Sequence, residues 1–338
     1  MDFMKKRREL LGVHSLGDLI KSGKVNRETN KTKFIHGPEE FDCLTRQWSK
    51  GDILNLLGGS GVGKSEISLQ FLKGILQNNP DGIVCYISLE MQIEEVAQRW
   101  NKIVQGDPDL CDRFYVIPAY DLEGNVQNVD INYIKSYIDD IKYSSEKDLL
   151  AFVLDHFNIF DIFCGAVGVT QLNKLVQDIK SIAIEKQCFG IVLSQVPKGP
   201  AQAGDIPIEA HEAFGTSSLK HFAHYVMQIH KPLLKVEEDA KMNILAWSYV
   251  KIREVDDNDM VKLKGNNLLS YDLKTRGFRG LTVQEDARFR MFYDAVLEMR
   301  EAEDKKKSYA YNMVKKMKTK SGKEIEIRDT FVGNTEEL

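Results

Sequence analysis

No run of 18 apolar residues occurs anywhere in the 338-residue chain, so no membrane span is expected. The start, MDFMKKRREL, carries a basic cluster with no apolar stretch behind it, which is not the pattern of a secretory signal. C-x-x-C pairs are absent. The five cysteines, Cys43, Cys85, Cys111, Cys164 and Cys188, are scattered and odd in number. That argues against zinc and for a reducing cytoplasm. An excess of positive charge is also missing. The net charge of −4 excludes a molecule coated in basic surface and leaves room only for a local basic channel. No internal repeat or low-complexity tract interrupts the chain.

What is present fits a globular class, with 43% hydrophobic and 28% charged residues. Apolar runs of strand length alternate with helical patterns from residue 52 to about 280. The strands expected are Ile53–Leu57, Ile83–Ser88, Arg113–Ile117, Leu149–Asp155, Phe189–Ser194, Tyr225–His230, Ile244–Ile252 and Asn267–Leu273. Helical spacing marks Lys64–Gln77, Ile93–Val104, Ile131–Tyr143 and Gln171–Lys186. Such alternation predicts an α/β fold, a mostly parallel sheet with helices on both faces. The last three strands follow one another with little helix between them, which predicts an antiparallel extension at one edge. Residues 1–33 are polar and precede this core; residues 285–338 form a tail that opens with an amphipathic pattern at Phe289, Phe292, Tyr293, Val296 and Leu297.

The stretch LLGGSGVGKSEISLQ holds G-x-x-x-x-G-K-S, from Gly58 to Ser65, between a strand and a helix. Gly58, Gly59, Ser60, Gly61, Val62 and Gly63 let backbone amides turn inward around a polyphosphate, and the helix N-terminus adds its positive end. Lys64 is expected to reach the β- and γ-phosphates of ATP, and Ser65 to hold Mg²⁺. A second metal carboxylate belongs at the end of another apolar strand, and LLAFVLD supplies Asp155. The next residue is His156, not an acid, so this strand brings no carboxylate to activate water.

Glu90, at the exit of IVCYISLEM, fills that need. A buried strand ending on a charge must have that charge solvated or employed. In a doubly wound sheet, ligands bind beyond the carboxyl ends of neighbouring strands, so Glu90 can sit beside the γ-phosphate and act on the attacking water. The alternative is an acid that only stabilises the dipole of the following helix. A third apolar strand, IVLSQV, ends in the amide of Gln195, which can hydrogen-bond a γ-phosphate. Taken alone, a Gln at a strand exit carries little weight.

Together these residues resemble the RecA-like ATPase domain of the DnaB-like replicative helicases, the superfamily-4 ring motors. HGPEEFDCLTRQWSKGDILNLLGGSGVGKS resembles that family's approach to its P-loop, and ISLEM its second-strand motif with the catalytic glutamate. VLDHFNIF is similar to its Walker B strand and IVLSQV to its sensor strand. AFGTSSLKHFAHYVMQIHK, WSYVKIRE and GNNLLSYDLKTRGFRGL resemble the segments that follow. The likeness covers residues 34–281, and the series ISLEM, LSQ and Lys-x-Arg is far more specific than the P-loop alone.

The resemblance implies an ATP-hydrolysing helicase or translocase on single-stranded DNA, with ATP and Mg²⁺ as cofactors. It also implies a homo-oligomeric ring of six and replication or recombination proteins as partners. Lys251 and Arg253, two apart on a strand and so on one face, would reach into the neighbouring subunit's site as a lysine and an arginine finger. Residues 1–33 would include a short subunit-linking helix. Two features depart from the family. The loops expected to face DNA, DIFCGAVGVT (161–170) and PKGPAQAGDIPIEAHE (197–212), offer only Lys198 as a cation, although phosphate contacts dominate nucleic-acid affinity. The chain also has no room before residue 34 for the family's N-terminal collar. Eight lysines and no acid between Lys305 and Lys323, with Tyr309 and Tyr311 among them, could bind phosphates and bases or simply form a solvated helix face. A non-processive RecA-like ATPase, acting as mediator, loader or nucleotide-controlled switch, remains the alternative function.

Overall fold

The computed structural model describes residues 48–120, 125, 127, 129–165, 169–195, 222–232, 243–252 and 267–291. The N-terminal segment, most of the loop after Gln195, Arg253 and the lysine-rich tail lie outside the described residues.

Nine strands form one sheet: β1 Ile53–Gly58, β2 Gly82–Ser88, β3 Phe114–Pro118, β4 Asp148–Asp155, β5 Phe189–Gln195, β6 Tyr225–His230, β7 Ile244–Ile252, β8 Asn267–Tyr271 and β9 Phe278–Gly280. Their spatial order is β3-β2-β4-β5-β1-β6-β7-β8-β9. The pairs from β3 to β6 are parallel; those from β6 to β9 are antiparallel. The helices are α1 Lys64–Asn78, α2 Ile93–Val104, α3 Pro108–Asp112, α4 Ile131–Ser145, α5 Phe157–Phe163 and α6 Val169–Glu185.

The central strands are buried on both faces, which is why they read as unbroken apolar runs rather than alternating ones. Alternation decides only which face each side chain joins. Leu54 and Leu56 of β1 pack with Ile67 and Phe71 of α1 and Trp100 of α2 in one core layer. Ile53 and Leu57 pack with Ile134 and Ile138 of α4 and Ile179 of α6 in the other. In α2, Val96, Trp100, Ile103 and Val104 are buried at helical spacing, and the Trp100 ring stacks on Phe114 with centroids 4.1 Å apart. Trp48 closes the P-loop side, stacked on Phe189 at 4.4 Å and edge-on to Phe71 at 5.1 Å.

Buried Arg113 satisfies an otherwise exposed set of carbonyls. Its guanidinium donates to Leu76 O, Asn79 O and Gly82 O at the turn from α1 to β2. The last strand expected, over Asn267–Leu273, ends at Tyr271, because Asp272 accepts from Lys274 N and Thr275 and turns the chain into β9. The described residues up to Leu281 form one compact unit, and the helical residues 283–291 belong to a second. Within the second unit, Thr282 Oγ1 accepts from Glu285 N at 3.2 Å while the Glu285 carboxylate accepts from Thr282 N at 2.8 Å, a reciprocal cap for a helix start. No helix among the described residues is long and apolar enough to cross a membrane.

Candidate active site

The carboxyl ends of β1, β2, β4 and β5 point the same way, and the P-loop leaves from the first of them. Gly58 ends β1 where any side chain would collide: a Cβ there would lie 2.7 Å from Val62 Cγ2 and 3.0 Å from the Ile229 carbonyl oxygen. Gly61 and Gly63 adopt left-handed φ values of +71° and +107°, which glycine takes without a steric penalty. Gly63 is also the N-cap of α1, so the loop delivers its backbone to a helix N-terminus. A concave backbone of this kind suits a polyphosphate.

Lys64, 7% exposed, donates to Gly58 O at 2.9 Å and Gly59 O at 2.7 Å. Burial lowers its ammonium to about 8, while the charges of Asp155 and Glu90 oppose that fall. Ser65 donates its hydroxyl to Asp155 Oδ2 at 2.7 Å. Asp155, at the end of β4, is 4% exposed, and Tyr86 of β2 donates to the same oxygen. Burial holds the Tyr86 phenol well above its usual range, and the Asp155 carboxylate adds to that.

Glu90 follows β2 directly. Leu89 N donates to Asp155 O at 2.9 Å, which ties the exit of β2 to the end of β4 and sets the glutamate beside the P-loop. The Glu90 side chain stays 57% exposed, with its Oε2 3.3 Å from His156 Nε2. Gln195 pairs in register with Gly58, and Asn158 Oδ1 accepts from its backbone amide at 3.0 Å. Ser60, Gly61, Val62, Gly63, Lys64, Ser65, Glu90, Asp155 and Gln195 all line one cavity of about 660 Å³.

The structure adds walls that the sequence did not announce. Lys231, just past β6, lines the cavity and donates to Gly61 O at 3.1 Å. Tyr271, Leu273 and Phe278 bring the β8–β9 hairpin to the same space. The hairpin is held there by Arg276, which ion-pairs with buried Glu66 in the first turn of α1 and whose carbonyl accepts from Gln70 at 2.6 Å. Glu66 also contacts Arg99 of α2 at 3.3 Å. An acid directly after the P-loop serine was the available signal, but its partner lies 210 residues away.

Lys251 is not part of this cluster. It pairs with Val226 near the start of β6 and donates to Ala223 O at 2.8 Å. The strand β7 runs antiparallel, so Leu245, which lines the cavity, and Lys251 lie roughly 20 Å apart along it. Lys251 therefore sits at the opposite end of the sheet from its own P-loop.

The donor set fits Mg²⁺. Ser65 and Asp155 offer hard oxygens next to a phosphate-shaped backbone, and this ion is commonly held by one or two carboxylates with waters and substrate phosphates.

No protein-family model matches the chain, and no curated protein matches it in sequence. Solved structures do match. The ATPase domain of one DnaB-like helicase superposes with a TM-score of 0.59 at 16% identity, covering 79% of this chain and 99% of that domain. A second DnaB-like replicative helicase, solved with attention to its interactions with primase, gives 0.59 at 17%, covering 83% of this chain and 72% of that one. A KaiC-like protein from the archaeon Pyrococcus horikoshii OT3 gives 0.50 at 11%, covering 74% and 97%. The chain thus has a RecA-like P-loop ATPase fold. Within that class it is similar to the ATPase domains of DnaB-like helicases, and at these identities the likeness is one of fold.

Proposed function

We propose that the chain is a Mg²⁺-dependent ATP hydrolase that works as a ring-forming translocase or helicase on single-stranded DNA. The observation that carries this reading is the convergence of Lys64, Ser65, Asp155, Glu90 and Gln195 on one cavity at the carboxyl ends of four parallel strands. The amides of residues 58–63 cradle the phosphates, and Lys64 exchanges its carbonyl partners for the β- and γ-phosphates. Ser65 and Asp155 hold Mg²⁺, which supplies charge neutralisation at the phosphate oxygens. Glu90 takes the proton of the attacking water, and the neighbouring His156 Nε2 orients its carboxylate. Gln195 contacts the γ-phosphate and passes its loss to the loop that follows. Tyr271 and Phe278 offer flat apolar faces to the base.

The ring is supported by the place of Lys251. A group at the far end of the sheet cannot serve its own site, but it can serve a neighbour's, and Arg253 follows two residues later on the same expected strand. DNA and a replication or recombination partner are inferred from the likeness to a helicase domain and from the motif series. One feature favours the second reading, a loader or assembly switch: residues 161–170 contain no lysine or arginine. The test is ATP hydrolysis with and without single-stranded DNA, followed by strand displacement on a forked duplex. DNA-stimulated hydrolysis with displacement supports the motor. Hydrolysis without displacement leaves the switch, and no hydrolysis removes both.

A further inference from the structure

Tyr86 is the one aromatic residue in the aliphatic core of β2, and it is fully buried against Trp100 and Phe114 on the α1 face of the sheet. Its strand register places Val153 of β4 directly beside it. Asp155 lies two residues further along β4, about 7 Å away and on the same face. The phenol crosses that step and ends on Asp155 Oδ2, the oxygen that also accepts from Ser65. A buried tyrosine hydroxyl needs some acceptor, and a backbone carbonyl would satisfy it. Here the acceptor is instead the carboxylate assigned to the metal. Two donors fix Oδ2, and Oδ1 is left without a protein donor among the described residues.

We infer that Tyr86 is a positioning residue for the metal site, orienting the Asp155 carboxylate so that its other oxygen is presented to Mg²⁺. This rests on the nucleotide-hydrolase reading above. Carboxylates that ligate metals are commonly oriented by such outer hydrogen bonds, and losing one typically costs 10–100-fold in metal affinity. Tyr86 reaches the metal only through Asp155, so its effect must vanish when Asp155 can no longer act as a ligand.

The experiment is a binding titration on the full chain with a fluorescent ATP analogue. Affinity is measured in EDTA and across a Mg²⁺ series for wild type, Tyr86→Phe, Asp155→Asn and the double variant. Phenylalanine keeps the ring packing against Trp100 and Phe114, and thermal unfolding checks that the variant is folded. The expected result is an unchanged affinity in EDTA for Tyr86→Phe, with the Mg²⁺ midpoint raised about 10–100-fold. In the Asp155→Asn background the same substitution should add nothing. An unchanged Mg²⁺ midpoint overturns the proposal. So does an equal loss of affinity in EDTA, which would make Tyr86 a support of the P-loop itself. An effect that persists undiminished beside Asp155→Asn overturns it as well, since it would not act through that carboxylate. Wild-type protein that binds no nucleotide, or binds it without regard to Mg²⁺, would overturn the hydrolase reading itself, and the role of Tyr86 with it.

Discussion

Ser65 and Asp155 meet through a 2.7 Å hydrogen bond across a sequence separation of 90 residues. The contact closes the site because β1 and β4 are not neighbours: β5 lies between them, and α1 carries Ser65 back over the sheet. The pairing therefore depends on the whole parallel order, not on a local turn. It also explains why Lys64, one residue earlier, is buried with two carboxylates near it.

Lys64 gives a prediction about protons. Its ammonium is lowered to about 8 by burial, against an ordinary value near 10.5. A bound polyphosphate favours the charged form and should raise it again. At pH 7 the group is already protonated, so binding takes up little. At pH 9 the free protein holds Lys64 mostly neutral, so binding must take up a proton, and affinity should fall as pH rises through about 8. Calorimetry of ATP binding in two buffers of different ionisation enthalpy measures that uptake. It should approach one proton at pH 9, and Lys64→Ala, which should also lose most nucleotide affinity and all turnover, should abolish it. Unchanged hydrolysis in Lys64→Ala would remove the P-loop assignment.

Glu90 and Lys64 should separate cleanly. Glu90→Gln keeps the shape of the side chain and removes its basicity. ATP should still bind, while single-turnover hydrolysis falls on the order of 10²–10⁴-fold, the usual worth of a positioned general base. Loss of binding with normal turnover per bound ATP would instead assign Glu90 a structural place at the start of α2.

Much of this site was legible because each part sits at the end of an unbroken apolar run. The strand Ile83–Ser88 announces that Glu90 leaves a buried sheet, and Leu149–Asp155 does the same for Asp155. The helix Ile93–Val104 and the strand Ile244–Ile252 appear with the bounds that their periodicity predicted. Short elements escaped. Pro108–Asp112 spans a single turn, too brief for periodicity, although Asp107 before Pro108 is a cap-and-first-turn signature. Phe157–Phe163 is apolar almost throughout and so shows no polar face. The β8–β9 wall escaped for another reason. Tyr271 and Phe278 reach the cavity through the Glu66–Arg276 pair, and no spacing in the chain encodes a partner that far away. Tyr86 left a weaker trace, a lone phenol in an aliphatic strand.

Gly190 tests the packing under the P-loop. It lies in β5 beside β1, and a Cβ there would stand 2.4 Å from Ile53 Cδ1 and 2.8 Å from Phe152 Cζ. Both neighbours are buried in the same layer, so neither can swing away. Gly190→Ala should cost about 1–3 kcal/mol through overpacking. In a domain of this size, Tm should fall by about 2–4 °C per kcal/mol. A variant as stable as wild type in thermal unfolding would mean that the layer yields more easily than its contacts imply.

The ring makes the sharpest demand. Lys251 occupies the sheet end opposite to its own P-loop, and its expected companion Arg253 is two residues on. If the pair acts in ATP hydrolysis, it must act on another subunit. Arg253→Ala should then bind ATP normally but hydrolyse it poorly, by roughly 10³-fold or more as for other arginine fingers. Mixing Arg253→Ala chains with Glu90→Gln chains should restore part of the activity. At one type of interface the first chain supplies the P-loop and Glu90 while the second supplies Arg253, and that site is whole. Neither variant alone contains such a site. The rescue should also grow with protein concentration, because subunits must meet. Mixtures that stay as inactive as each variant, at concentrations where sizing shows assembled rings, would exclude a role in trans. They would leave Lys251 as a strand residue bonded to Ala223 and the chain as an ATPase whose sites work alone.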